Sequence, residues 1–157
     1  GPVYIRLGRS KVETIFDENY KFRIGKGTVV KEGTDVTLFA CGIMVETALK
    51  AAEILASDGI NAAVVNLSTI KPLDTALIVK MAEETKAAVT CEEHTILGGL
   101  GSAVAEVLVE NCPIPMERVG VEDKFGQSGL PDELLKAYGL TAEKIAEKAK
   151  AAIARKA

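Results

Sequence analysis

From Val36 onward, short apolar runs alternate with longer segments of helical period. VTLFA (36–40) is apolar at every position but Thr37 and ends at Cys41-Gly42. MVETALKAAEILASDG follows with Val45, Ala48, Ala52 and Leu55 on one stripe, and Gly59 supplies the stop. AAVVNL (62–67) is a second apolar run. Pro72 in STIKPLD forbids its continuation, and Asp74 is placed to cap a helix over DTALIVKMAEETK. AAVTC (87–91) is the third run. EEHTILGGLG reads as a glycine-rich loop, and SAVAEVLVENC as a helix stopped by Asn111 and Pro113. MERVGV (116–121) alternates in the manner of a half-buried strand. A loop, EDKFGQSGLP, leads to two helical segments, DELLKAYG and TAEKIAEKAKAAIARK. Thr141 is a cap for the second.

Strands alternating with helices imply parallel pairing through right-handed crossovers. Three runs lack in/out alternation, as expected of strands buried on both faces. The expected fold class is therefore α/β, a three-layer α/β/α arrangement around a mostly parallel sheet. Upstream, PVYIRL alternates as a strand would, and SKVETIFDENY is polar without a helical period. The pair Gly25 and Gly27 interrupts KFRIGKG, which suits a short edge strand or a linker. The expected division is an arm over residues 1–20 and a compact domain over 21–157. A chain that opens at Gly1, in the middle of an element, suggests a segment upstream.

Composition narrows the function classes. Hydrophobic residues make up 48% and charged residues 26%, with a net charge of −3. A nucleic-acid binder usually carries a basic domain or stripe, so no nucleic-acid partner is expected. No apolar run approaches the roughly 20 residues that span a bilayer, and no secretory leader is visible, so no membrane role and a cytoplasmic setting are expected. Cys41, Cys91 and Cys112 form no CxxC, and the chain has a single histidine. A Cys/His zinc site has too few clustered ligands, and free thiols suit a reducing compartment.

Ligands of an open α/β sheet sit beyond the carboxyl ends of its strands. Those ends are Cys41-Gly42, Ser68 to Lys71, Glu92 to His94, and Glu122 to Lys124. In GGLGSA, the N–H groups of Ser102, Ala103 and Val104 are candidates to receive an anion at a helix start. The loop is not GxGxxG, because Val104 stands where the third glycine would fall, and no GxxxxGK[ST] occurs. Its glycines, Gly98, Gly99 and Gly101, are better read as permitting close backbone packing or an interface. His94 is a candidate general base oriented by Glu92 or Glu93, weighed against a loop histidine bonded to backbone or a neighbouring subunit. Cys91 reads as core rather than as a nucleophile for His94, and Lys71 as a solvated loop lysine. No catalytic constellation assembles from these residues.

The stretch EEHTILGGLGSAVAE resembles the C-terminal domain of transketolases. RVGVEDKFGQSGLPDELLKAYGLT, DVTLFACGIMVETALKAAEIL and NLSTIKPLD continue the resemblance over essentially the whole chain. It is similar above all to the C-terminal subunit of split transketolases, whose enzyme is encoded as two shorter chains. PVYIRLGRSK resembles the last strand of the preceding pyrimidine-binding domain. The resemblance makes Arg9 the substrate-contact candidate, a guanidinium fork for a sugar phosphate, with Arg6 the weaker one. It further implies a mixed five-stranded sheet with one antiparallel strand, for which KFRIGKG is the expected segment.

The activity implied is transfer of a two-carbon ketol unit between sugar phosphates, as in the pentose phosphate pathway. Thiamine diphosphate and magnesium would carry the chemistry in the assembled enzyme. The motif GDG…NN that holds them is absent here. The chain alone is thus expected to bind neither, to be inactive, and to supply architecture, homodimer contacts and contacts to an N-terminal subunit or upstream domains. Two alternatives stand beside this. One is the corresponding domain of deoxyxylulose-phosphate synthase or of a 2-oxoacid dehydrogenase β-subunit. The other is an anion-binding regulatory or assembly module acting at the GGLG helix start, with His94, Gly98, Gly99, Gly101 and Ser102 as its loop.

Overall fold

Four parallel strands and one antiparallel edge strand form the central sheet of the computed structural model, which describes residues 1–8 and 11–156. The strands are β1 (Thr28–Lys31), β2 (Val36–Ala40), β3 (Ala62–Asn66), β4 (Ala88–Thr95) and β5 (Met116–Val121), in the order β1-β3-β2-β4-β5. β2 lies in register between β3 and β4, with Leu38 opposite Val64 on one side and Val89 on the other. β2 and β3 are buried at every residue, which is why their sequences do not alternate.

The helices are α1 (Met44–Ser57), α2 (Thr75–Thr85), α3 (Leu100–Asn111), α4 (Pro131–Ala137) and α5 (Ala142–Ile153). One face of the sheet is covered by α1 and α5. Leu38, Val64 and Val89 meet Ala48, Leu55 and Ile145 there. The other face is covered by α2 and α3, where Phe39 and Val65 meet Ile78, Met81, Leu100 and Val104. Each fully buried side chain of this size contributes about 1.5–3 kcal/mol. The expected stripe of α1 is buried, joined by Met44 and Ala51. Asp74 caps α2 through Leu77 N–H at 3.4 Å, and Thr141 caps α5 through Lys144 N–H at 3.3 Å.

The expected three-layer α/β fold is present, with three differences. The antiparallel edge strand is TVVK, not KFRIGKG. Val29 pairs with Val65 of β3, whereas residues 21–24 are exposed and unpaired. A turn at Gly25, at φ +77°, separates the two segments, and the β-branched pair Val29-Val30 suits the pleat better than Lys-Phe-Arg. PVYIRL forms no strand among the described residues, and its alternation has no sheet to face. Val3, Tyr4, Ile5 and Leu7 are all exposed. β4 continues through Glu92, Glu93 and His94 to Thr95, and α3 starts at Leu100, so the expected loop shrinks to Ile96–Gly99.

The sheet edge is tied to the helical layer by Asp74. Besides Leu77 N–H, its carboxylate accepts from Gly27 N–H at 3.1 Å and from Lys26 Nζ at 3.4 Å. At the other end of β1, Gly33 turns the chain against β3. Thr34 and Asp35 both donate backbone N–H to Asn61 O at 2.9 Å, and Asn61 N–H returns a bond to Asp35 Oδ2 at 2.6 Å.

Candidate functional site

At the carboxyl end of the sheet, β4 delivers Glu92 into the start of α3. Its carboxylate is only 2% exposed. It accepts from Leu100 N–H at 2.7 Å through Oε2 and from Gly101 N–H at 2.8 Å through Oε1. The first helical amides lack intrahelical partners and carry the positive end of the helix dipole. An internal carboxylate therefore fills the place that the sequence offered to an external anion. The amides involved are those of Leu100 and Gly101 rather than Ser102, Ala103 and Val104. Ala103 N–H already bonds Gly99 O within the helix, at 3.1 Å.

The glycines around this carboxylate have steric roles. A Cβ on Gly99 would collide with Glu92 Oε2, and one on Gly101 would sit 2.8 Å from Thr90 Oγ1 and 2.9 Å from Arg118 Cδ. Gly98 turns the chain at φ +73°, and its N–H donates to Ser102 Oγ at 2.9 Å. Gly98, Gly99, Gly101 and Ser102 thus build one tight β4–α3 connection. The role of Glu92 was missed by sequence reasoning, which weighed it only as a partner for His94. The available signal was an acidic residue at the end of an apolar run, eight positions before a glycine-flanked helix start.

His94 is half exposed, with Nδ1 at 3.0 Å from Thr95 O and 4.0 Å from Glu92 Oε2. Glu93 does not orient it, since its carboxylate takes Arg6 at 3.3 Å. No nucleophile stands in hydrogen-bond register with His94 among the described residues. Burial, reinforced by Glu92, pushes the Cys41 thiol up to about 11, and burial raises the wholly enclosed Cys91 still further. Neither is a thiolate at neutral pH, so neither is an activated nucleophile. All three cysteines are free thiols. Lys71 lies on the turn between β3 and α2, at one wall of an open groove of about 560 Å³ whose other wall is α3. Arg9 lies outside the described residues. Arg6, three positions earlier, lies beside Glu93 near the carboxyl end of β4.

Two layers of helices on a β1-β3-β2-β4-β5 sheet match a known domain. The model of the family described as transketolase, C-terminal domain, matches residues 25–145. The chain belongs to the transketolase C-terminal domain family. It is 51% identical over 156 residues to the 6-deoxy-6-sulfo-D-fructose transketolase subunit SqwH of Clostridium sp. (strain MSTE9), covering 99% of this chain and 48% of that protein. It is 42% identical over 153 residues to the 1-deoxy-D-xylulose-5-phosphate synthase of Heliobacterium modesticaldum (strain ATCC 51547 / Ice1), covering 96% of this chain and 24% of that one. A solved structure described as a split gene transketolase, inactive beta4 tetramer, superposes with a TM-score of 0.97 at 52% identity. That match covers 100% of this chain and 52% of the other. The transketolase domain thus spans about half the length of SqwH and about a quarter of the synthase.

Thiamine diphosphate, implied by the transketolase resemblance, needs amides or cations for its diphosphate and ligands for magnesium. Among the described residues, no three His, Cys, Asp or Glu side chains gather so as to hold a metal ion. The start of α3, the one the sequence offered to an anion, is filled by Glu92. The described residues thus offer no three-ligand cluster for magnesium, and the start of α3 is closed to a diphosphate. No helix among them is long and apolar enough to cross a membrane.

Proposed function

We propose that this chain is the C-terminal part of a split, thiamine-diphosphate-dependent transketolase that moves a two-carbon ketol unit between sugar phosphates. The observation that carries this reading is 51% identity along 99% of the chain to a transketolase subunit of which it spans about half. In this reading the N-terminal subunit brings the cofactor and magnesium, and residues 1–20 are the end of the domain that precedes residues 21–157. The present chain supplies architecture and subunit contacts. Copies of it also associate with one another, as the beta4 tetramer of the similar structure supports. The sugar pair is left to assay, which should include 6-deoxy-6-sulfo-D-fructose, a ketose with a sulfonate in place of the phosphate, because of the similar subunit. The synthase reading ranks second on its lower identity of 42%.

Arg9 is the residue proposed to hold the substrate phosphate. A hydrogen bond to a charged group is worth about 1.5–3 kcal/mol, so Arg9→Ala in the assembled enzyme is expected to lower kcat/KM for phosphorylated sugars by roughly 10- to 150-fold. The loss falls mainly on KM and spares unphosphorylated analogues. Equal losses on both substrate types would remove Arg9 from the phosphate site.

A further inference from the structure

We propose that Glu93 is a positioning residue for the substrate phosphate: by holding Arg6, it seats the arm that carries Arg9. The inference rests on the reading of Arg9 given above and says how the domain would fix it. The sheet order reverses between β2 and β4, since β3 lies beyond β2 on one side and β5 beyond β4 on the other. In open α/β sheets, the crevice outside the carboxyl ends of two such strands is where a ligand sits. Here residues of the arm lie there. Arg6 Nη2 donates to Glu93 Oε2 on β4 at 3.3 Å. A Cβ built on Gly8 would lie 3.9 Å from Ile43 Cγ2, in the connection from β2 to α1. Farther along, Glu13 N–H donates at 3.5 Å to Glu46 Oε2 in the first turn of α1, and Ile15 packs against the core of that layer.

These contacts fall before and after Arg9 in sequence, and all meet the β2–α1 or β4 side of the domain. The Arg6–Glu93 pair is the one among them with charge and direction. A guanidinium on a carboxylate fixes orientation as well as place. The apolar arm residues Val3, Tyr4, Ile5 and Leu7 are all exposed, so they do not hold the arm to this domain. Glu92 is committed to the start of α3, so of the two adjacent carboxylates Glu93 is the one left to take the arm. The Arg6 and Glu93 side chains are 55% and 42% exposed, so their pair is screened by solvent. Its loss should therefore shift the arm without unfolding the domain.

The test uses the mixture of this chain with the proposed N-terminal subunit, thiamine diphosphate and magnesium, assayed on a phosphorylated ketose and its unphosphorylated analogue. Glu93→Gln is expected to raise KM for the phosphorylated ketose about three- to fivefold, as suits an exposed ion pair. Its kcat, and kcat/KM for the analogue, should stay at the parent values. In an Arg9→Ala background the same change should add nothing, because residues acting as one unit are not additive. The exchange Arg6→Glu with Glu93→Arg should recover the parent KM, whereas Arg6→Glu alone should not. The Glu93 variants should melt with the parent. An unchanged KM in Glu93→Gln, or a full further loss in the Arg9→Ala background, overturns the positioning role. An exchange that recovers nothing overturns it too, and gives Arg6 a substrate contact of its own. Equal losses on both substrates with lowered melting make Glu93 merely structural and also overturn it. Arg9→Ala without a phosphate-specific loss overturns the reading of Arg9 instead, and this proposal with it.

Discussion

Glu92→Ala is expected to destabilise the chain by about 3 kcal/mol, the sum of two buried bonds to a charged acceptor partly offset by relaxation. Glu92 is 2% exposed, and among the described residues its carboxylate is the acceptor for both Leu100 and Gly101 N–H. Truncation leaves both amides buried and unpaired and opens a cavity between β4 and α3. For a domain of this size, about 2–4 °C per kcal/mol translates the loss into a melting temperature lower by roughly 6–12 °C. Glu92→Gln keeps one acceptor oxygen but turns an amide NH₂ toward the second N–H, so it should fall about midway. Thermal unfolding of the three proteins checks the order. An alanine variant within about 0.5 kcal/mol of the parent, the range of ordinary surface changes, would mean that the carboxylate does not hold the helix start.

Gly33→Ala should be at least as costly, for a steric reason. A Cβ there would collide with the backbone of Ala62 and Ala63 at the start of β3. The neighbour is main chain of an inner strand rather than the tip of a flexible side chain. The turn is also pinned by Thr34 and Asp35 N–H on Asn61 O and by Asp35 on Asn61 N–H. Relief requires β1 and its turn to move off β3. Overpacking alone costs about 1–3 kcal/mol, and lost edge pairing takes the expected total to about 3 kcal/mol or more. Gly126→Ala, where a Cβ meets nothing within 4 Å, serves as the control and should melt with the parent. Denaturant unfolding of both variants decides it, and equal midpoints would contradict the close approach.

The central elements were legible because burial on both faces leaves a direct mark on sequence. VTLFA and AAVVN could be little else, and Asp74 and Thr141 announced the helix starts they cap. The edge strand was misplaced because half-buried edges carry weak patterns, and KFRIG alternates as well as TVVK does. What decides between them is the turn at Gly25 and the grip of Asp74 on Gly27, both long-range facts. The same holds at the site. The glycines of GGLG were legible as packing residues, but the carboxylate they pack around was not. Its partner amides lie eight and nine positions away and meet it only once β4 and α3 dock. Arg9 was singled out by resemblance alone, and no local physical pattern distinguishes it from Arg6.

The most direct test of the account is a ketol-transfer assay with the proposed N-terminal subunit, thiamine diphosphate, magnesium and a panel of ketose and aldose phosphates. The chain alone and the N-terminal subunit alone should show no transfer, and the mixture should turn over with an optimum at equal stoichiometry. Transfer by either polypeptide alone, or a mixture that forms a complex yet transfers no ketol unit to any acceptor, would contradict the reading of this domain as half of a split transketolase.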